Sequence, residues 1–107
     1  MKKTIIALIY KYLDEFNSQR EIDDRLEKSE KTILYGQESG LDSIGLANLI
    51  IKVEGAVYKT FKVQIDMTDE NVFSLNENPF RTVDSLAEYI VSLINEKKDN
   101  GNYSSEE

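Results

Sequence analysis

Apolar residues along the chain fall into helical rows separated by polar stretches. Ile5, Leu8, Ile9, Tyr12, Leu13 and Phe16 recur three or four residues apart, with Lys11, Asp14 and Glu15 on the opposite face. That spacing predicts an amphipathic first helix. A second row opens at Asp42/Ser43 and runs through Leu46, Leu49, Ile50, Val53, Val57 and Phe61. Its end reads two ways. Gly55 costs about 1 kcal/mol relative to alanine in a helix interior, and "VYKTFKVQI" has the β-branched and aromatic content of a strand. A lone strand has nothing to pair with in this chain, so a helix to about Phe61 is expected, with Val63 and Ile65 anchoring the loop that follows. The last row is the clearest. Thr82 reads as an N-cap, followed by Val83, Leu86, Ala87, Ile90, Leu93 and Ile94 at helical spacing.

The polar stretches divide these rows. Residues 17–42 form a long connection, beginning "NSQREIDDRLEKSEK", where Ile22 and Leu26 support one or two helical turns. In its second part, "TILYGQESGLD", Ile33, Leu34 and Tyr35 read as apolar anchors. A connection this long inside a compact domain is functional or partly disordered. "MTDENVFSLNENPF" has room for one short helix capped at Thr68, with Asp69 and Glu70 in its first turn. Pro79 then imposes an extended approach to the last helix. After Asn95 the tail has no apolar period and is expected to be disordered. Residues 1–95 thus form the domain and 96–107 a polar tail.

Composition narrows what such a domain does. The chain has 107 residues, 40% of them hydrophobic. At that size it buries roughly 60–65% of its unfolded surface. Cysteine is absent, which excludes disulfides and thiolate metal sites. Histidine is absent too, removing the usual general base near neutral pH and the commonest metal ligand. The net charge of −7 opposes binding to nucleic acid or to an anionic membrane. The opening "MKKTIIALIY" imitates a signal peptide, but its apolar run stops at Lys11 and no small-residue cleavage site follows. No run is long enough to span a membrane, and the cytoplasm is the expected compartment.

The stretch that carries chemistry is "GQESGLDSIGLANLIIKVE", residues 36–54. Aspartate and serine before an apolar helix are ordinary caps, because their oxygens accept hydrogen bonds from free backbone N–H groups. The context adds to this. "LYGQESGLDSIGLANLIIKVE" resembles the attachment site of the acyl and peptidyl carrier proteins in its loop leucine, its "GLDSI" and the glutamate eleven residues after the serine. "PFRTVDSLAEYIVSLI" is similar to that family's closing helix. The resemblance runs from Ile5 to Ile94 and is most specific over residues 40–54. It implies an all-α fold, a four-helix acyl-carrier-type bundle with a long loop between helices 1 and 2, acting as a monomer. Ser43 would receive phosphopantetheine from coenzyme A. Asp42 would support the magnesium used by the phosphopantetheinyl transferase, and Leu41 and Ile44 would contact that transferase and later partners, acyl or aminoacyl synthetases and transferases.

The residues themselves agree with this picture. Ser43 has no nearby base and should be inert until another enzyme acts on it. A helix N-terminus carries partial positive charge and suits a phosphate ester. Gly45 reads either as room for a partner's approach or as a tolerated early-helix glycine. Two decoys are set aside. Ser85, in a second Asp-Ser-Leu, lies inside the last helix behind the Thr82 cap and reads as a solvated first-turn serine. Residues 66–77 have the first aspartate and last glutamate of a calcium-binding loop but Asn71 where the sharp turn needs glycine.

The chain also departs from the family. Carrier proteins commonly have an acidic second helix; here residues 43–65 carry Lys52, Lys59 and Lys62 against Glu54, a local net of +2. Residues 14–42 sum to −5 and residues 66–96 to −6. No acidic recognition residues are carried over, and the three lysines, Lys52 first, are candidate partner contacts. A second helix about one turn longer than the common form, together with "NPFRTV", is similar to stand-alone carriers of accessory biosynthetic pathways. That implies a dedicated synthetase and a specialised cargo. The competing expectation is an unmodified helical interaction module in which Ser43 is only a cap. An enzyme ranks third, because no paired acid and base converge on a pocket.

Overall fold

A computed structural model describes residues 1–35, 41–67 and 79–99. These residues form three α-helices: α1 (Lys2–Asn17), α2 (Ser43–Phe61) and α3 (Val83–Asp99), with a 3-10 turn at Ile22–Asp24. The architecture is all-helical, with no strand among the described residues. Three α-helices are found there, not the four expected; the short helix expected from Thr68 lies outside the described residues.

The apolar rows become the faces that pack. α1 contributes Ile5, Ile9 and Leu13, α2 contributes Leu49, Val53 and Val57, and α3 contributes Leu86, Ile90 and Ile94, all buried. α1 packs against both other helices. Its start lies beside the start of α3, where Lys2 Nζ is 2.6 Å from the Asp84 carboxylate. Its later turns lie beside the start of α2, where the Tyr12 hydroxyl reaches the Gly45 carbonyl.

α2 runs through Gly55 to Phe61 and ends on Lys62, whose left-handed backbone (φ 59°) lets its N–H reach the Tyr58 carbonyl. Beyond it, Val63, Ile65 and Met67 are buried while Lys62, Gln64 and Asp66 are exposed. The segment therefore alternates like a strand, with no strand partner among the described residues. Its Met67 N–H donates to the Glu54 carboxylate, which holds it to α2.

The long connection is held more by backbone than by apolar anchors. The Asn17 amide donates to the Leu26 carbonyl at 2.8 Å and accepts the Leu26 N–H at 2.7 Å, fixing the departure from α1. Ile22 makes no comparable contribution: it is 78% exposed. Further on, Leu34 is fully buried, Ile33 is half-buried, and Tyr35 is exposed rather than an anchor. What orders residues 30–34 is the first turn of α3. The N–H of Val83 donates to the Thr32 carbonyl and that of Asp84 to the Glu30 carbonyl. The Ser85 N–H goes to the Thr82 hydroxyl and the Thr82 N–H to Ser85 Oγ. All four donors that a helix start leaves without partners are thereby satisfied.

Thr82 is the cap expected, but Ser85 is not a solvated serine. Its Oγ accepts the Thr82 N–H at 3.0 Å and donates to the Pro79 carbonyl at 2.8 Å, completing a reciprocal capping arrangement. α3 also continues four residues past Asn95, to Asp99. Glutamate and lysine are good helix formers, so elongation there needs no apolar contact. Residues 100–107 of the expected tail lie outside the described residues.

Candidate functional site

The start of α2 is built by Asp42. Its backbone is extended, its Oδ1 accepts the Gly45 N–H at 2.7 Å, and its carbonyl accepts the Leu46 N–H at 2.9 Å. Asp42 is therefore the N-cap and Ser43 the first helical residue. The expectation of Ser43 as the cap is corrected, because the aspartate oxygen one residue earlier already serves the third N–H of the helix. The N–H groups of Ser43 and Ile44 find no acceptor among the described residues. Here α2 differs from α3, whose first-turn donors are all engaged.

The underside of this turn is closed by the chain itself. Leu41 is only 8% exposed and belongs to the core. Gly45 is also buried, and a Cβ on it would stand 3.1 Å from Leu41 Cδ2 and 3.2 Å from Asp42 Oδ1. The Tyr12 hydroxyl donates to the Gly45 carbonyl at 3.2 Å. Glycine is thus needed for close approach inside the molecule, not for a partner. Of the two residues expected to flank the serine as contacts, Ile44 faces outward, 71% exposed, and Leu41 faces inward.

Electrostatics around the turn are mixed. Lys52 Nζ lies 3.1 Å from the Glu15 carboxylate and 5.9 Å from the Tyr12 ring centre, so its charge is already shared within the molecule. Lys59 and Lys62 are exposed and have no ion pair among the described residues. Burial pushes the Tyr12 phenol above its ordinary value; Lys52 works against that shift, while Glu15 and Asp42 reinforce it. No cluster of acidic side chains suited to a metal ion occurs among the described residues.

Two exposed residues went unassigned in the sequence. Ile51 and Tyr58 are 60% and 54% exposed and continue the line of Ile44 along α2. The signal was present: Ile44, Ile51 and Tyr58 are seven residues apart, on the side opposite Leu46, Leu49, Ile50, Val53 and Val57.

No family model, no curated protein and no solved structure matches the chain. No helix among the described residues is long and apolar enough to cross a membrane.

Proposed function

We propose that this chain is a non-catalytic carrier protein of the four-helix acyl-carrier type, working in the cytoplasm, with Ser43 as the point of phosphopantetheine attachment. The observation that carries the reading is the contrast between its two Asp-Ser pairs. Ser43 opens α2 directly after an aspartate cap, beside an exposed Ile44 and first-turn N–H groups that find no acceptor among the described residues. Ser85 is enclosed in a cap and its hydroxyl is spent on Pro79.

The donor set suits a phosphodiester. The N–H groups of Ser43 and Ile44, at the positive end of the helix dipole, stabilise an anionic ester oxygen. Asp42 keeps the turn open by using one carboxylate oxygen on Gly45, and its other oxygen is available to a metal ion brought by the modifying transferase. The serine oxygen displaces 3′,5′-adenosine bisphosphate from the pyrophosphate of coenzyme A, and, with no histidine in the chain, its proton passes to a base in the transferase complex. Phosphopantetheine, once attached, supplies a terminal thiol that holds an acyl or aminoacyl group as a thioester. An unmodified interaction module draws on one observation of its own, the exposed Ile44–Ile51–Tyr58 line, which needs no cofactor to bind a partner.

The test is intact mass before and after incubation with coenzyme A, magnesium and a broad-specificity phosphopantetheinyl transferase, repeated with the transferase of the source organism. Wild type and Ser85→Ala should gain one phosphopantetheine and Ser43→Ala none. Asp42→Asn should keep its melting temperature, since asparagine caps as well as aspartate, yet be modified more slowly. Folded wild type that gains no mass with either enzyme would rule out the carrier reading in favour of the interaction module.

A further inference from the structure

α1 reaches the turn that opens α2 through a single polar atom. Tyr12 is only 8% exposed, and its hydroxyl donates to the Gly45 carbonyl across 33 residues of chain. Gly45 is thereby held at both ends, since its N–H is already taken by Asp42 Oδ1. Phenylalanine would fill the same space without carrying a hydroxyl out of water, a step that costs free energy unless a hydrogen bond compensates. The phenol therefore contributes here through its bond, beyond what the ring supplies by packing.

The first turn of α2 has few other holds. Asp42, Ile44, Ala47 and Asn48 are exposed, and Leu41, Gly45 and Leu46 alone turn inward there. Helix ends fray unless their first turn is tied down. At α3 that tie comes from a distant segment, residues 30–34, through the N–H groups of Val83 and Asp84. At α2 the corresponding tie is the Tyr12 hydroxyl, two residues beyond Ser43. Apolar packing under Leu41 lets the turn slide, whereas a hydrogen bond fixes direction as well as distance.

We propose that Tyr12 is a positioning residue for the modification of Ser43, its hydroxyl fixing the first turn of α2 so that the serine oxygen is held in line with the phosphorus it attacks. The inference rests on the carrier reading. Tyr12 takes no part in the bond changes. In that step the Ser43 oxygen bonds to the phosphorus that bears the pantetheine, adenosine bisphosphate leaves, and the serine proton passes to a base in the transferase complex. What Tyr12 supplies is orientation, so its loss lowers the rate of the step and leaves the affinity for the carrier unchanged.

The experiment follows modification of the full chain by intact mass over a range of carrier concentrations, for wild type, Tyr12→Phe and Ile9→Val. Ile9 is fully buried on the same helix, and its shortening lowers stability while leaving the Tyr12 hydroxyl in place. Tyr12→Phe should lose about tenfold in kcat with KM unchanged, Ile9→Val should keep both, and amide exchange in Tyr12→Phe should quicken at Gly45 and Leu46. A pH profile separates the bond from the packing. A fluorinated tyrosine at position 12 ionises at lower pH and then cannot donate, so kcat should gain an alkaline limb where its absorbance shows phenolate, a limb absent from Tyr12→Phe. The charged groups facing this phenol are Glu15 on α1 with Asp42 and Lys52 on α2; the two carboxylates oppose its ionisation and Lys52 favours it. The proposal is overturned by an unchanged kcat in Tyr12→Phe, by a change confined to KM, by an equal loss in Ile9→Val, or by a fluorinated protein without the limb. Wild type that gains no mass removes the carrier reading and this role with it, while mass gain at rates indifferent to position 12 removes the positioning role alone.

Discussion

The same substitution, glycine to alanine, should change stability in opposite directions at two positions of α2. In a helix interior alanine is favoured over glycine by about 0.8–1.0 kcal/mol. At Gly55 nothing opposes that gain, because the new methyl enters open space. Gly55→Ala should therefore stabilise the chain by nearly the full propensity difference, about 1 kcal/mol. At Gly45 the methyl would stand 3.1 Å from Leu41 Cδ2 and 3.2 Å from Asp42 Oδ1. Neither neighbour yields cheaply. Leu41 is held in the core, and Asp42 Oδ1 is fixed by its 2.7 Å hydrogen bond from the Gly45 N–H. Moving the carboxylate weakens a cap worth about 1 kcal/mol, and crowding a packed leucine typically costs about 1–3 kcal/mol. Against a propensity gain of at most about 1 kcal/mol, Gly45→Ala should be net destabilising by roughly 1–3 kcal/mol. Urea denaturation followed by circular dichroism reads both differences, and a change of 1 kcal/mol moves the melting temperature of so small a domain by roughly 4–8 °C. A Gly45→Ala protein as stable as wild type, or a Gly55→Ala protein less stable, would refute the reasoning.

Ser85→Ala should lower stability by about 1–2 kcal/mol, since it breaks the reciprocal cap of α3 and strips a donor from the Pro79 carbonyl; urea midpoints measure this, and the variant must still accept phosphopantetheine. Tyr12 should ionise above the ordinary phenol value near 10, because its phenol is buried. The shift favours the protonated form in the folded state, so its stabilising effect is complete below the unfolded value and is lost as pH rises through the folded one. Absorbance at 295 nm should show a tyrosinate phase above the ordinary phenol value that is absent in Tyr12→Phe.

Much of the helical frame was legible because burial on a helix leaves a period. The rows beginning at Ile5, Leu46 and Val83 pointed to the faces that pack, and the reading of α2 as a helix to Phe61 stood despite Gly55 and the β-branched run. The site was legible in part. Asp42 and Ser43 were located at the start of α2, but which of them caps it depends on where one carboxylate oxygen reaches, and that is a matter of backbone geometry. Ile51 and Tyr58 were visible as residues yet unreadable as surface, since an apolar residue off the main row can be covered by any other element.

Local pattern by itself determined the three described helices, the N-caps of α2 and α3 to within a residue, the charge carried by α2 and the absence of a histidine base. Tertiary structure alone decided the rest. It turned Leu41 inward and left Ile44 outward, made Gly45 a close approach to Leu41 and Asp42, and coupled Lys52 to Glu15 across 37 residues. It also gave Ser85 a cap instead of solvent, by bringing residues 30–34 of the long connection against the first turn of α3. The physical reason is that helical periodicity is set by neighbours a few residues away, whereas burial and partner choice depend on segments that meet only when the chain folds.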